Sequence, residues 1–406
     1  MRQLLMICGM IVVTVGLSWL LSPRTPAPAL PQALLGSDTA WLVQAKHISY
    51  YRRTLSLLNL MLPVLGLSIA IRLGWSAALR EWLETHGVRQ PWLLVAAFTA
   101  MFVIVATLLS LPLNYAGLAL RRSYGLSQEP TLSWLSRQAI ELGVSLVLAL
   151  VAIEGLYWLL RVAPNLWWLL ASGGFVVLTL LLSYLTPYVI TPLFFTQRPL
   201  EDQALREQIF QLGERVGTPI NEIYVIDASA QGNEGNAYFT GVGGSTRVVL
   251  YDTLLREYPT DQLLIILAHE LGHWRGQHVW QGLLMSWIAA PLGLWIVYVL
   301  LGWLLPAWGI RDRADVAGLP LILLIVTLGT LALLPAQNWI SRRWERSADQ
   351  FAIQATSDPA AFQATFVRLA RQNLTDPTPP PFFESLLGTH PAVGRRVAEA
   401  QPMLYP

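Results

Sequence analysis

Leu263-Leu264-Ile265-Ile266-Leu267-Ala268-His269-Glu270-Leu271-Gly272-His273 is the stretch that governs how this chain is read. Six apolar residues in a row predict a buried helix, and that helix runs straight into two histidines four apart with a glutamate beside the first. Residues four apart share a helix face, so His269 and His273 can offer two imidazole nitrogens to one zinc ion. Glu270 then sits next to the open coordination position as a base. The bland alternative is a chance match or a buried structural pair, but the chain has only 6 histidines in 406 residues, which makes chance a poor explanation. Gly272 permits close backbone approach beside the site.

Around this motif the chain is membrane sequence. Hydrophobic residues make up 54% and charged residues 13%, with a mean hydropathy of +0.47, whereas about a quarter of the residues of a soluble domain are charged. Apolar runs predict spans at Leu4–Leu21, Leu55–Trp75, Trp92–Leu113, Leu142–Leu160, Leu166–Leu185, Val279–Leu305 and Leu319–Leu334. The expectation is a multi-pass α-helical membrane protein of about seven transmembrane helices. Many of the 17 tryptophans fall near span ends, namely Trp19, Trp75, Trp92, Trp158, Trp167, Trp168, Trp280, Trp303 and Trp339, where an amphipathic ring suits the interface. The first run, after Arg2 and before Pro26-Ala27-Pro28-Ala29, also fits a cleaved secretory signal. It is longer than the usual core of about 7 to 15 residues, which argues for a retained span.

Alternating spans place the segment carrying the histidine motif and the C-terminal tail on one side of the bilayer, so both can contribute to a single site. Arginines are abundant on that side, although short loops are near parity between sides; the positive-inside rule points to a cytoplasmic site. A net charge of +2 implies no nucleic-acid partner. Cys8, the single cysteine, excludes disulfides within the chain and cysteine-ligated metal. Glu154, inside the fourth run, faces either a polar cavity or the membrane interface.

A zinc peptidase needs a third protein ligand on the same side and leaves the fourth position to water. Glu345 is the best candidate. In Trp344-Glu345-Arg346-Ser347-Ala348-Asp349 the two acids are four apart on one helical face just past the last run, so one can bind metal while the other orients a ligating histidine. The competing reading is a solvated face among Arg342, Arg343 and Arg346. His278 lies five residues past His273 and turns off the ligand face; with His47 and His86 it reads as a structural or surface residue.

Taken together these residues resemble the type I CAAX prenyl endopeptidases, integral-membrane zinc peptidases of the gluzincin class, with their bacterial relatives. The resemblance rests on Thr191-Pro192-Leu193-Phe194-Phe195 with Pro199-Leu200, Asn236-Ala237-Tyr238-Phe239-Thr240-Gly241, and Arg247 to Leu255. It continues through His269 to Trp274, Ser341 to Glu345 with Ala348-Asp349, and His390-Pro391 with Arg396. It is strong from about Tyr188 onward; the first half matches in hydropathy and in Tyr124-Gly125-Leu126, where Arg121-Arg122 replaces the acidic residue usual in the family.

The resemblance implies a ring of helices around a hydrated chamber, capped by a mainly α metallopeptidase domain with a small β element. Residues 1–187 would form the membrane region of five helices, and residues 188–406 the peptidase domain interrupted by helices at about 279–305 and 319–338. It implies His269, His273 and Glu345 as ligands of one Zn2+ per chain, Glu270 as base, Asp349 behind a ligand, and His390 and Arg396 near the substrate or the oxyanion. Asn236, Ala237 and Tyr238 would form an edge to which an extended peptide adds as a strand.

The expected substrate is a peptide or protein, membrane-associated or lipidated. Family members in eukaryotes cleave prenylated C-termini, while bacterial relatives serve membrane-protein quality control. A single lysine, Lys46, among many arginines and alanines points to a GC-rich bacterial genome and a bacterial inner membrane. A non-catalytic zinc-binding scaffold is the rival from another class, and a structural site has no use for Glu270. Sequence does not fix the oligomeric state.

Overall fold

The computed structural model describes residues 2–35, 39–218, 220–240, 246–304, 308 and 310–401; Gly241 and Leu305, named above, lie outside them. The chain opens with α1 (Arg2–Leu20) and a short α2 (Gln32–Leu35). Then come α3 (Ala40–Arg72), α4 (Trp75–Thr85), α5 (Pro91–Ser123), α6 (Thr131–Val162) and α7 (Trp167–Leu185), which passes through a π turn into α8 (Thr191–Phe194). Strand β1 (Gln197–Pro199), α9 (Gln203–Arg215), β2 (Glu222–Ile226), β3 (Ala237–Thr240) and β4 (Arg247–Tyr251) follow. The remaining helices are α10 (Asp252–Glu257), α11 (Thr260–Arg275), α12 (His278–Leu304), α13 (Leu319–Thr356), α14 (Pro359–Gln372), α15 (Pro381–Leu387) and α16 (Val393–Ala400).

Six stretches among the described residues are long and apolar enough to cross a bilayer, namely α3, α5, α6, α7 with α8, α12 and α13; α1 adds a shorter apolar helix. The expected spans are there, but the helices outrun them. α3 begins at Ala40 rather than Leu55, and α5 continues to Ser123 rather than Leu113. Hydropathy marks only the part that meets lipid; beyond it the helix persists because protein partners take up its polar side chains. Arg52 of α3, for example, donates to the carbonyls of Asn373 (2.9 Å) and Leu374 (3.4 Å).

α13 is the central post, packed against α1, α3, α11 and α12. The apolar run expected at Leu319–Leu334 is the first part of a longer helix, Leu319–Thr356, of 38 residues. Glu345 and Asp349 therefore sit on the same rod as the last span, in an environment where they are buried, not on a solvated face. α1 is seated in the fold, with Thr14 Oγ1 3.2 Å from the Leu331 carbonyl and Ser22 Oγ 3.1 Å from that of Pro381. Trp167, expected at the interface, is fully buried, whereas Trp19, Trp75, Trp92, Trp158 and Trp303 are exposed as anchors require. Trp167 belongs to the same buried core as Phe98, Tyr157, Leu301 and Leu324 of α5, α6, α12 and α13.

The sheet runs β1-β2-β4-β3, with β2 and β4 parallel and both outer strands antiparallel. β4 is buried from Arg247 to Leu250, and its Val248 and Leu250 join Ile265, Leu267 and Leu271 of α11 in a second core. Each such aliphatic side chain contributes about 1.5–3 kcal/mol on burial, which fixes α11 against the sheet. At the membrane side, Gly125 closes α5 with φ of +70°, a conformation glycine adopts without strain. The carbonyls of Gly125 and Leu126 accept from Asn233 (3.2 and 3.0 Å), tying this loop to the segment before β3.

Candidate metal centre and active site

Helix α11 presents its two histidines to α13 at very close range. A Cβ built on Gly272 would meet Ala348 Cα at 2.9 Å, so only glycine lets the two backbones approach this closely. At this crossing His269 Nε2 and His273 Nε2 lie 3.2 Å apart, and each lies 3.3 Å from an oxygen of Glu345. Three ligand atoms at the corners of a tetrahedron with bonds of about 2.0–2.1 Å would be separated by about 3.3 Å. Glu345 Oε2 is buried and makes no hydrogen bond among the described residues beyond its 3.3 Å approach to His269 Nε2. Such an atom is costly unless a cation meets it. His269, His273 and Glu345 are the described residues that could hold a metal ion together.

The surroundings are asymmetric. His269 Nδ1 donates to Asp349 Oδ1 at 2.9 Å, and Asp349 is in turn clamped by Arg396, whose Nε reaches Oδ2 at 2.8 Å while a terminal nitrogen binds Oδ1. Arg396 also lies over the Phe366 ring, 3.6 Å from its centroid. Burial lowers the His269 pKa, but Asp349 and Glu345 outweigh it and raise the imidazole to about 9. That is the bias of a pocket built for positive charge, and a metal binding there must displace the proton. Burial pushes the Glu270 carboxyl above the usual carboxylate range against the pull of His269 and His273, which suits a base working near neutral pH.

Glu270 and His269 line a cavity of about 670 Å³, together with Arg52 and Arg53 of α3, Asn236, Phe383, His390 and Arg396. His390 is exposed there, its Nε2 3.3 Å from Glu345 Oε1 and its Nδ1 2.9 Å from Thr389 Oγ1. His390 and Arg396, expected near the substrate or the oxyanion, both line this cavity; the Arg396 guanidinium is engaged with Asp349, which leaves His390 as the freer donor. β3 is an edge strand that pairs only with β4 among the described residues. Ala237 and Phe239 face α11, with Phe239 4.8 Å from the Trp274 ring, while Tyr238 packs on the other face among Phe195, Tyr224 and Tyr251. Tyr238 thus has only its main chain to offer a peptide along this edge.

A model described as peptidase family M48 matches residues 199–404. The chain belongs to this family. A second model, described as CAAX prenyl protease N-terminal with five membrane helices, matches residues 27–196 of this M48 chain. Over 385 residues it is 28% identical to the uncharacterized metalloprotease YhfN of Bacillus subtilis, covering 92% of this chain and 90% of that protein. It is 35% identical over 191 residues to CAAX prenyl protease 1 of Saccharomyces cerevisiae, an alignment spanning 45% of this chain and 41% of the yeast protein. The crystal structure of S. mikatae Ste24p matches it with a TM-score of 0.85 at 22% identity over 98% of both chains, which establishes the fold. This M48 protein is a multi-pass membrane metalloendopeptidase that takes peptide or protein substrates.

Sequence reasoning set aside one residue that the structure brings in. His278 Nδ1 lies 2.9 Å from His273 Nδ1. The five-residue spacing would turn it away on a continuous helix, but α11 ends at Arg275 and Gln277 adopts φ of +52° before α12 starts at His278 itself. Gly276, a helix stop directly after the motif, was the available signal.

Proposed function

We propose that this protein is a zinc-dependent endopeptidase in which His269, His273 and Glu345 hold one Zn2+ per chain. The convergence of two imidazole nitrogens and a buried carboxylate at mutual distances of 3.2 and 3.3 Å carries this reading. Bound there, zinc supplies a water whose pKa is about 7 and polarises the scissile carbonyl. Glu270 takes the proton of the attacking water and returns it to the leaving amine. His390 donates to the carbonyl oxygen as charge develops, a contribution of about 3–4 kcal/mol for a single such donor. Asp349 holds His269 with Nε2 toward the metal, and Arg396 holds Asp349.

The substrate is a membrane-associated or lipidated peptide, laid in extended form along the free edge of β3 so that the main chain of Asn236 to Tyr238 pairs with it. The spanning helices reach the cavity, since Arg52 and Arg53 of α3 line its wall, and a substrate in the bilayer is the kind this placement serves. The protein sits in a bacterial plasma (inner) membrane with its site toward the cytoplasm; the likeness to a Bacillus protein along 92% of the chain supports the bacterial part of this reading. A second reading, bacterial membrane-protein quality control with no prenyl substrate, goes with a bacterial source.

Two measurements on detergent-purified protein test this. Zinc analysis gives one ion per chain in the wild type and a large loss in Glu345→Ala at equal yield; unchanged stoichiometry reassigns the third ligand. A fluorogenic prenylated CAAX peptide compared with its unlipidated twin and with a destabilised membrane protein then separates the substrate readings. Cleavage of the membrane protein alone assigns quality control.

A further inference from the structure

The two proposed histidine ligands are held from behind by different chemistry. His269 leans on a carboxylate, Asp349, at 2.9 Å. His273 leans on another imidazole: its Nδ1 is 2.9 Å from His278 Nδ1, and His278 Nε2 is 3.2 Å from Ser347 Oγ, which is 2.7 Å from the Trp344 carbonyl. A carbonyl can only accept, so the Ser347 hydroxyl donates to it and accepts from His278 Nε2–H. His278 Nδ1 is then the lone-pair nitrogen and accepts from His273 Nδ1–H, which leaves the lone pair of His273 on Nε2, the atom facing Glu345 and His269. Worked from the other end the result is the same, because a ligating Nε2 requires the proton on Nδ1.

We infer that His278 is a positioning residue that fixes the tautomer and ring orientation of His273 for the metal, through a relay from Trp344 and Ser347. The inference rests on the zinc reading above. The chain is built to hold the His278 ring in place: Trp344 stacks on it with centroids 5.4 Å apart and planes 14° apart. Gly276 lies directly beneath, where a Cβ would meet Cε1 at 2.7 Å and Cδ2 at 2.9 Å, although its own φ of −73° would accept any residue. Besides ending α11, a glycine here leaves room for the His278 ring. A neutral acceptor also suits the charge of the site. The two charges of a bound zinc would be offset by the Glu345 and Glu270 carboxylates, while Asp349 is balanced by the Arg396 guanidinium; a further carboxylate behind His273 would give the site a net negative charge.

Two substitutions at this position separate relay from packing. His278→Phe keeps the ring on Trp344 and removes the acceptor, while His278→Asn keeps an acceptor where Nδ1 stands and removes the ring. Zinc affinity is read by competition with a chromophoric chelator, and ligand geometry by the visible spectrum of the cobalt-substituted protein. The relay predicts that His278→Phe weakens zinc about 10- to 100-fold and alters the cobalt spectrum, while His278→Asn stays close to wild type. The reverse order overturns it, as does wild-type affinity in His278→Phe. Ser347→Ala, a change at an exposed position, is the companion should His278→Phe not fold: it frees the His278 tautomer and is expected to weaken zinc several-fold, and no change there overturns the relay. A wild type that takes up neither zinc nor cobalt overturns the metal reading and the relay with it, whereas a wild type with one zinc matched by His278→Phe overturns the relay alone.

Discussion

Gly272 and Ala348 mark the closest approach of α11 and α13, with room between them for no side chain: an added Cβ would lie 2.9 Å from Ala348 Cα, 3.1 Å from its carbonyl oxygen and 3.2 Å from Phe351 Cβ. This contact sets the distance between the histidine pair and Glu345, which stand on opposite helices. In an open helix Gly→Ala stabilises by about 1 kcal/mol. Here the methyl meets backbone, which cannot rotate away, and overpacking of about 1–3 kcal/mol wins. Gly272→Ala is therefore expected to lower thermal stability and to lose zinc, measured by unfolding in detergent and by metal analysis; unchanged metal content would show that the ligand set tolerates a wider crossing.

Arg396 and His390 should fail in different ways. Arg396 and Asp349 are a buried pair with side chains 7% and 8% exposed, so Arg396→Leu leaves the buried carboxylate with His269 Nδ1–H but without its guanidinium partner, at a cost of about 3–5 kcal/mol. His390 is 60% exposed, so His390→Ala leaves stability within about 0.5 kcal/mol and, with zinc retained, lowers kcat by about 10²–10³. Melting curves beside turnover check both. A His390→Ala protein with wild-type kcat removes it as the oxyanion donor.

At the far end of the bundle Arg80 binds Asp315, whose carboxylate also accepts from the Arg311 (2.9 Å) and Ala317 (3.1 Å) amides. This cluster joins α4 to the start of α13 and touches nothing in the site. Asp315→Ala leaves the buried Arg80 guanidinium without its main partner and should cost about 3–5 kcal/mol, while kcat per folded molecule stays unchanged. A fall in kcat at full folding would mean that this end of the molecule communicates with the metal.

How much of this was legible in the sequence follows from what a linear pattern encodes. Helix periodicity placed His269 and His273 on one face, and the four-residue spacing of Glu345 and Asp349 did the same on α13, because both relations live within one helix. The crossing at Gly272 and Ala348 was visible only as a small residue, since which helix it meets is a property of the fold. His278 was read as bystander for the same reason: its spacing assumed an unbroken helix, and the turn at Gly276 and Gln277 brings it back to His273. Trp167 was read as an anchor, and a tryptophan at a span end can equally be core; that it is buried with Phe98 and Tyr157 is a property of the fold. Arg52 and Arg53 went unremarked because hydropathy begins the span after them, although α3 carries them to the cavity wall.

The most direct test is turnover of detergent-purified Glu270→Gln beside the wild type, with zinc counted in both. The change keeps the size of the side chain and removes its basicity, so the variant is expected to hold one zinc per chain and to lose cleavage by at least about 10²-fold, as chelation of the wild type also does. Wild-type turnover in Glu270→Gln, with its zinc in place, would contradict the assignment of Glu270 as the base and with it the reaction described for this site.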